Sequence, residues 1–152
     1  MDIEEMTRPD YLPLLNTVAI HERNAGVSLR AWADETSNRE LRACLSLVAA
    51  RETSHYEVFK RRIEELGYAL EEEEEPGHEE RLRVRGSGMS DAEKVRWLRS
   101  RQPVIMVDYR AAVSDEGIDS LTRALLGWFA DEEADSSRRL AEAYGRVEAQ
   151  AR

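Results

Sequence analysis

Glu52 and His55 stand three residues apart in a stretch of strong helix formers, and their types and spacing could do metal chemistry. On an α-helix the two side chains differ by roughly 300° in direction and about 4.5 Å in rise, so a carboxylate and an imidazole can reach one point. Oxygen and nitrogen donors of this kind suit a divalent cation. On a solvated helix face such a pair would carry no meaning. Here the flanking apolar residues are Leu41, Leu45 and Val48, then Phe59, Ile63 and Leu66, at helical spacing. Continuing that seam through its gap lands on Glu52 and His55, so both are expected to face the core.

The other helical segments repeat the anomaly. Leu15, Val18, Leu29 and Ala33 mark an inner face on which Glu22 is central. Leu121, Leu125 and Trp128 lead by the same steps to Glu132 and Asp135. Val95 and Leu98 lead to Gln102, and then to Ile105, Met106 and Tyr109. A buried, unpaired carboxylate costs several kcal/mol, and converging carboxylates also repel one another. Protons or a cation must neutralise them. A metal-free core is the competing reading, with Glu–His and Asp–Arg pairs in which Arg51, Arg138 and Arg139 are the nearby partners.

Four elements must position these groups. The spacing predicts helices from about Pro9, after a cap at Thr7, to Glu35; from Ser37 or Asn38 to Gly67; from Ser90, in a Ser-x-x-Glu capping box with Glu93; and from about Ile118 to Tyr144 or beyond. The first and second helices are joined by a few residues, as are the third and fourth, so each pair should be an antiparallel hairpin. Between the pairs, at about 68–89, lies a long connector with Pro76, Gly77, Gly86 and Gly88. Its run from Glu71 to Glu75 reads as solvated and partly disordered. The expected architecture is all-α: a single domain over 1–152, a four-helix bundle of two hairpins (about 9–67 and 90–147) with one long crossover.

Composition agrees. The chain has only two Phe and four Pro, and a formal net charge of −9 from 31 acidic and 22 basic residues. That balance argues against nucleic-acid binding. No run approaches the ~20 apolar residues of a membrane span. The acidic N-terminus lacks signal-peptide character, and a cytoplasmic setting is expected. Cys44 is the single cysteine, so cysteine-based clusters and intrachain disulfides are excluded. Trp32, Trp97 and Trp128 read as packing groups.

The two hairpins also align without gaps at an offset of 80, pairing Glu22 with Gln102, Glu52 with Glu132 and His55 with Asp135. With these residues the chain resembles the ferritin-like superfamily, and within it the rubrerythrin-type branch, over about residues 10 to 145. The resemblance implies two irons, or manganese or a mixed pair, between the helix pairs. It makes Glu52 and Glu132 bridging ligands and Glu22 and His55 terminal ligands of one ion. Gln102 and Asp135 serve a weaker second position, so unequal occupancy is expected. Tyr109, seven residues after Gln102, matches a tyrosine often found there in the family; it is either a hydrogen-bonding or electron-transfer partner or a plain core residue.

The function implied is a non-haem iron oxidoreductase acting on peroxide, dioxygen or ferrous iron, with an external electron donor. The alternatives are a metal-binding or iron-handling protein without efficient turnover, and a metal-free structural module. A homodimer or larger assembly through helix faces is also expected.

Overall fold

The computed structural model describes Ile3, residues 8–101 and residues 109–152. Thr7, Gln102, Ile105 and Met106 lie outside the described residues. Among the described residues there is no strand; six helices make up the regular structure. They are α1 (Leu12–Glu35), α2 (Arg39–Glu65), α3 (His78–Arg85), α4 (Asp91–Ser100), α5 (Tyr109–Val113) and α6 (Ser120–Gln150). No helix among them is long and apolar enough to cross a membrane.

Local chemistry sets the ends. Pro13 sits in the first turn of α1, where its missing N–H is not needed. The side chain of Asn38 caps α2 by accepting the Leu41 N–H at 3.1 Å. At the other end Gly67 takes φ 92°, where a side chain would be strained. There the Tyr68 N–H reaches the Ile63 carbonyl at 3.1 Å, and the Gly67 N–H reaches Glu64 at 2.9 Å, a Schellman closure. The capping box of Ser90 and Glu93 starts α4 with both of its reciprocal bonds. Asp119 starts α6 by accepting the Thr122 N–H at 3.0 Å.

The α1 and α2 helices run antiparallel. Leu29, Trp32 and Ala33 pack with Leu41, Leu45 and Val48 near the short link. Leu12, Leu15, Val18 and Ala19 pack with Phe59 and Ile63 at the far end. Each Leu, Val, Ile or Phe among them, fully buried, contributes roughly 1.5–3 kcal/mol. The α6 helix lies antiparallel to α2: Arg62 reaches Asp119 at 2.8 Å, while Ala143 and Val147 join Leu41 and Leu45 at the opposite end. Successive stretches of α6 are covered by α5 and α4. Tyr109 meets Phe129, and Arg99 meets Glu148 at 2.9 Å.

Three features differ from the sequence expectation. The third of the four expected helices, α4, stops at Ser100, with Arg101 extended at ψ 142°. Pro103 has no N–H to continue the ladder, and its ring disfavours helical backbone before it. The connector is solvated along Glu71, Glu72, Glu73 and Glu74, as expected, but it is held in place rather than partly disordered. The Asn16 side chain both donates to the Glu71 carbonyl and accepts its N–H, each at 2.8 Å, and Glu72 pairs with Arg23 at 2.7 Å. The connector also contains α3, which packs on α1.

The inner face of α6 is the third difference. Its buried residues are Thr122, Leu126, Phe129, Ser136, Ala143 and Val147, while Leu121 is 52% exposed. The helix is therefore turned by one residue, about 100°, from the expected seam. Thr122 belongs inside because its hydroxyl accepts from Arg62 at 2.9 Å and donates to Asp119 at 2.8 Å. The burial of α2 and α6 consequently matches at an offset of 81, with Leu45 opposite Leu126 and Glu52 opposite Glu133, rather than at the 80 of the residue identities.

Candidate metal centre

Glu22 from the middle of α1, Glu52 and His55 from α2, and Glu133 from α6 converge. One ligand-type atom from each lies within 4.8 Å of all the others. The α1–α2 pair brings in its members because the apolar stripes along which the two helices face each other are interrupted where these residues fall. Close approach of the two helices is permitted by Gly26, one turn after Glu22. A methyl group there would stand 2.9 Å from the Thr53 hydroxyl oxygen.

The cluster is buried and under-satisfied. Glu22 and His55 are completely buried, and Glu52 is 4% exposed. Both Glu22 carboxylate oxygens, His55 Nδ1 and Glu133 Oε1 are buried without a hydrogen-bond partner. His55 Nδ1 lies 3.9 Å from Glu22 Oε1 and 3.6 Å from Glu133 Oε1, too far for good hydrogen bonds. The other ring nitrogen, Nε2, is 2.7 Å from Glu132 Oε1. A carboxylate accepts only, so Nε2 carries the proton of this bond. In a neutral ring, Nδ1 then turns a lone pair towards two carboxylates.

Electrostatics show the same strain. Burial pushes the Glu22 carboxyl up to about 7; the nearby His55 opposes this and Glu133 adds to it. Burial also raises Glu133, against the pull of His55 and His21. For His55, burial opposes protonation, but the carboxylates of Glu22, Glu132 and Glu133 outweigh it and raise its pKa. Protons and a dication therefore compete for one place. Three carboxylates and an imidazole fit a hard or borderline divalent ion.

Not every residue singled out from the sequence joins the cluster. Glu132 bonds the far side of the His55 ring, and its neighbour Glu133 takes the inward place. Asp135 is turned away from the cluster. Its carboxylate is held by Arg51 at 2.7 Å, Arg139 at 2.7 Å and Arg138, and these guanidinium groups drive its pKa far below the carboxylate range. Gln102 is outside the described residues. Tyr109 packs edge-on against Phe129 at 4.9 Å, and Phe129 does the same to His55 at 5.0 Å. Burial, with the negative Glu22 and Glu133 nearby, pushes the Tyr109 hydroxyl up to about 12. Trp128 closes another side of the His55 ring at 4.9 Å.

Sequence reasoning missed Glu133. The signal was the second apolar stripe of α6, in which Leu126 and Phe129 lead to Glu133 by steps of three and four. Comparison of the chain with protein-family models, curated proteins and solved structures finds no match.

Proposed function

We propose that this protein holds a divalent cation in its helical core, ligated by Glu22, Glu52, His55 and Glu133. The observation that carries this reading is four buried ligand atoms, from three residues on three helices, facing one point without a hydrogen-bond partner. Such groups are costly to leave unpaired, and a dication satisfies them together. Glu132 acts as a positioning residue: by accepting the Nε2 proton it fixes the imidazole so that Nδ1 faces the carboxylates.

Oxygen-rich donors with one nitrogen favour ferrous iron or manganese, and the described residues support one ion per chain. The ferritin-like, four-helix arrangement is part of the same proposal. It is supported by the antiparallel α1–α2 pair, by α6 along α2, and by α4 and α5 along α6. Iron or manganese held there would supply one-electron chemistry towards peroxide or dioxygen. The chain's own part is to exclude water with Phe129 and Trp128, and to keep the Tyr109 hydroxyl protonated nearby. A metal-free core is the second reading, favoured by the direct His55–Glu132 bond and the arginine-bound Asp135.

Elemental analysis of protein purified without added metal, followed by titration with manganese and anaerobic ferrous iron, tests the proposal. About one ion per chain is expected, lost in Glu22→Gln and Glu133→Gln. Failure of the unmodified chain to bind either ion above background would leave the metal-free core standing. Mixing the ferrous protein with peroxide tests the redox part separately: no faster oxidation than free ferrous iron would reduce the reading to metal binding alone.

A further inference from the structure

Gly26 stands in the interior of α1, where glycine is a poor helix former. Its φ is not positive, so backbone conformation does not call for glycine there. Space does. The residue is buried, and a methyl group on it would meet the Thr53 hydroxyl oxygen at 2.9 Å, the Ala49 carbonyl oxygen at 3.4 Å and the Thr53 nitrogen at 3.5 Å. The Thr53 hydroxyl cannot turn aside without loss, because it donates to the Ala49 carbonyl at 3.0 Å. The glycines inside α6 are different: a methyl group would have 3.8 Å of room at Gly127 and open space at Gly145. Of the three, only Gly26 marks a close crossing of two helices.

That crossing lies beside the core cluster. Glu22 is one turn before Gly26 on the same face of α1, and Glu52 and His55 flank Thr53 on α2. The separation of the helices at Gly26 therefore sets how far Glu22 stands from the α2 donors. Glu22 Oε1 and His55 Nδ1 are 3.9 Å apart. A small dication bound at about 2.1 Å, as zinc is, can join donors up to about 4.2 Å apart. Calcium, at roughly 2.3–2.6 Å, reaches donors about 4.6–5.2 Å apart. Gly26→Ala needs an ordinary contact of 3.4 Å or more with Thr53, so it parts the helices by up to about 0.5 Å. The gap then approaches about 4.4 Å, beyond the small ion and within the reach of calcium. Glu22 and His55 are completely buried, so their neighbours hinder any re-aiming that would close it.

Given the metal-binding reading above, on which this rests, we propose that Gly26 is a positioning residue that fixes ion size. By bringing α1 against α2 it makes the core cluster select small dications over calcium. The donor types alone leave that choice open, since carboxylates suit both kinds of ion.

Competition titration of the intact, chelator-treated chain with manganese and calcium measures the ratio of their affinities. Gly26→Ala should lower the preference for manganese by about tenfold. Adding Thr53→Ala to that chain clears the crowded atom and should restore the ratio to within about threefold of the parent. Asp119→Ala, which destabilises the start of α6 away from the cluster, should leave the ratio within about twofold. If Gly26→Ala does not fold, Ala49→Ser adds one atom to the buried α2 residue at the same crossing and should shift the ratio in the same direction. An unchanged ratio in the folded variant, an equal loss of both ions, or no recovery with Thr53→Ala would overturn the proposal and leave the metal site standing. Failure of the parent chain to bind either ion would remove both.

Discussion

Replacing Glu22 by Gln separates the cost of the core cluster from its purpose. With no metal bound, burial pushes the Glu22 carboxyl up to about 7, against an ordinary value of 4.5. At 1.36 kcal/mol per pKa unit, ionising it in place costs about 3 kcal/mol relative to the unfolded chain. The sign follows from proton counting. Between pH 4.5 and about 7 the folded state keeps a proton that the unfolded state has lost, so stability falls as pH rises through that window. Gln is neutral and nearly isosteric. Glu22→Gln should therefore be more stable than the parent chain at pH 8 in chelator, by up to about 3 kcal/mol, and nearly unchanged at pH 5. For a chain of this size each kcal/mol moves Tm by roughly 2–4 °C, so a rise of roughly 6–12 °C is the upper bound. Adding manganese should reverse the order, because binding stabilises only the chain that keeps the ligand. Thermal unfolding at the two pH values, with and without metal, reads all four conditions. A variant less stable than the parent at pH 8 in chelator would refute the electrostatic reasoning. Equal stabilisation of both chains by manganese would refute the metal site.

The other predictions concern different parts of the structure. His55→Ala should abolish metal binding, whereas Asp135→Ala should leave it intact and destabilise only modestly, because Asp135 serves three arginines; metal titration of both variants checks this. Glu132→Gln should weaken binding less than Glu133→Gln, roughly 10–100-fold being typical for loss of a group that orients a ligand. Gly26→Ala should cost about 1–3 kcal/mol in urea unfolding through crowding against Thr53, and Thr53→Ala in the same chain should recover most of it. Asp119→Ala should cost about 1 kcal/mol as a lost helix cap. Burial tends to raise the Asp119 carboxyl, but hydrogen bonds from Thr122 and Arg62 outweigh this and lower it. Its contribution is therefore present above the ordinary aspartate range and lost as pH falls below it, so the parent and variant should converge in acid unfolding.

Much of this protein was legible without its structure, because the signals are local. Asn38, the Ser90–Glu93 box and Gly67 fix helix ends through bonds reaching only a few residues. The inward place of Glu22, Glu52 and His55 was also legible, since on α1 and α2 each lies in line with a stripe of apolar residues at helical spacing. Pro103 was equally visible in the sequence as a residue that cannot continue a helical ladder, but the apolar spacing of Val95, Leu98 and Tyr109 obscured that signal. The α6 helix was different in kind. It offers two adjacent stripes, through Leu125 and Trp128 or through Leu126 and Phe129, and local propensity does not choose between faces 100° apart. Packing chose: Thr122 bonds Arg62 and Asp119, Phe129 stacks edge-on against Phe59 at 5.4 Å, and the rotation puts Glu133 in the cluster and Glu132 behind the imidazole. The same limit hid the partners of Glu72 and Glu75 on α1: Arg23 and His21 stand 49 and 54 residues away in sequence, and only the tertiary fold brings such distant charges together.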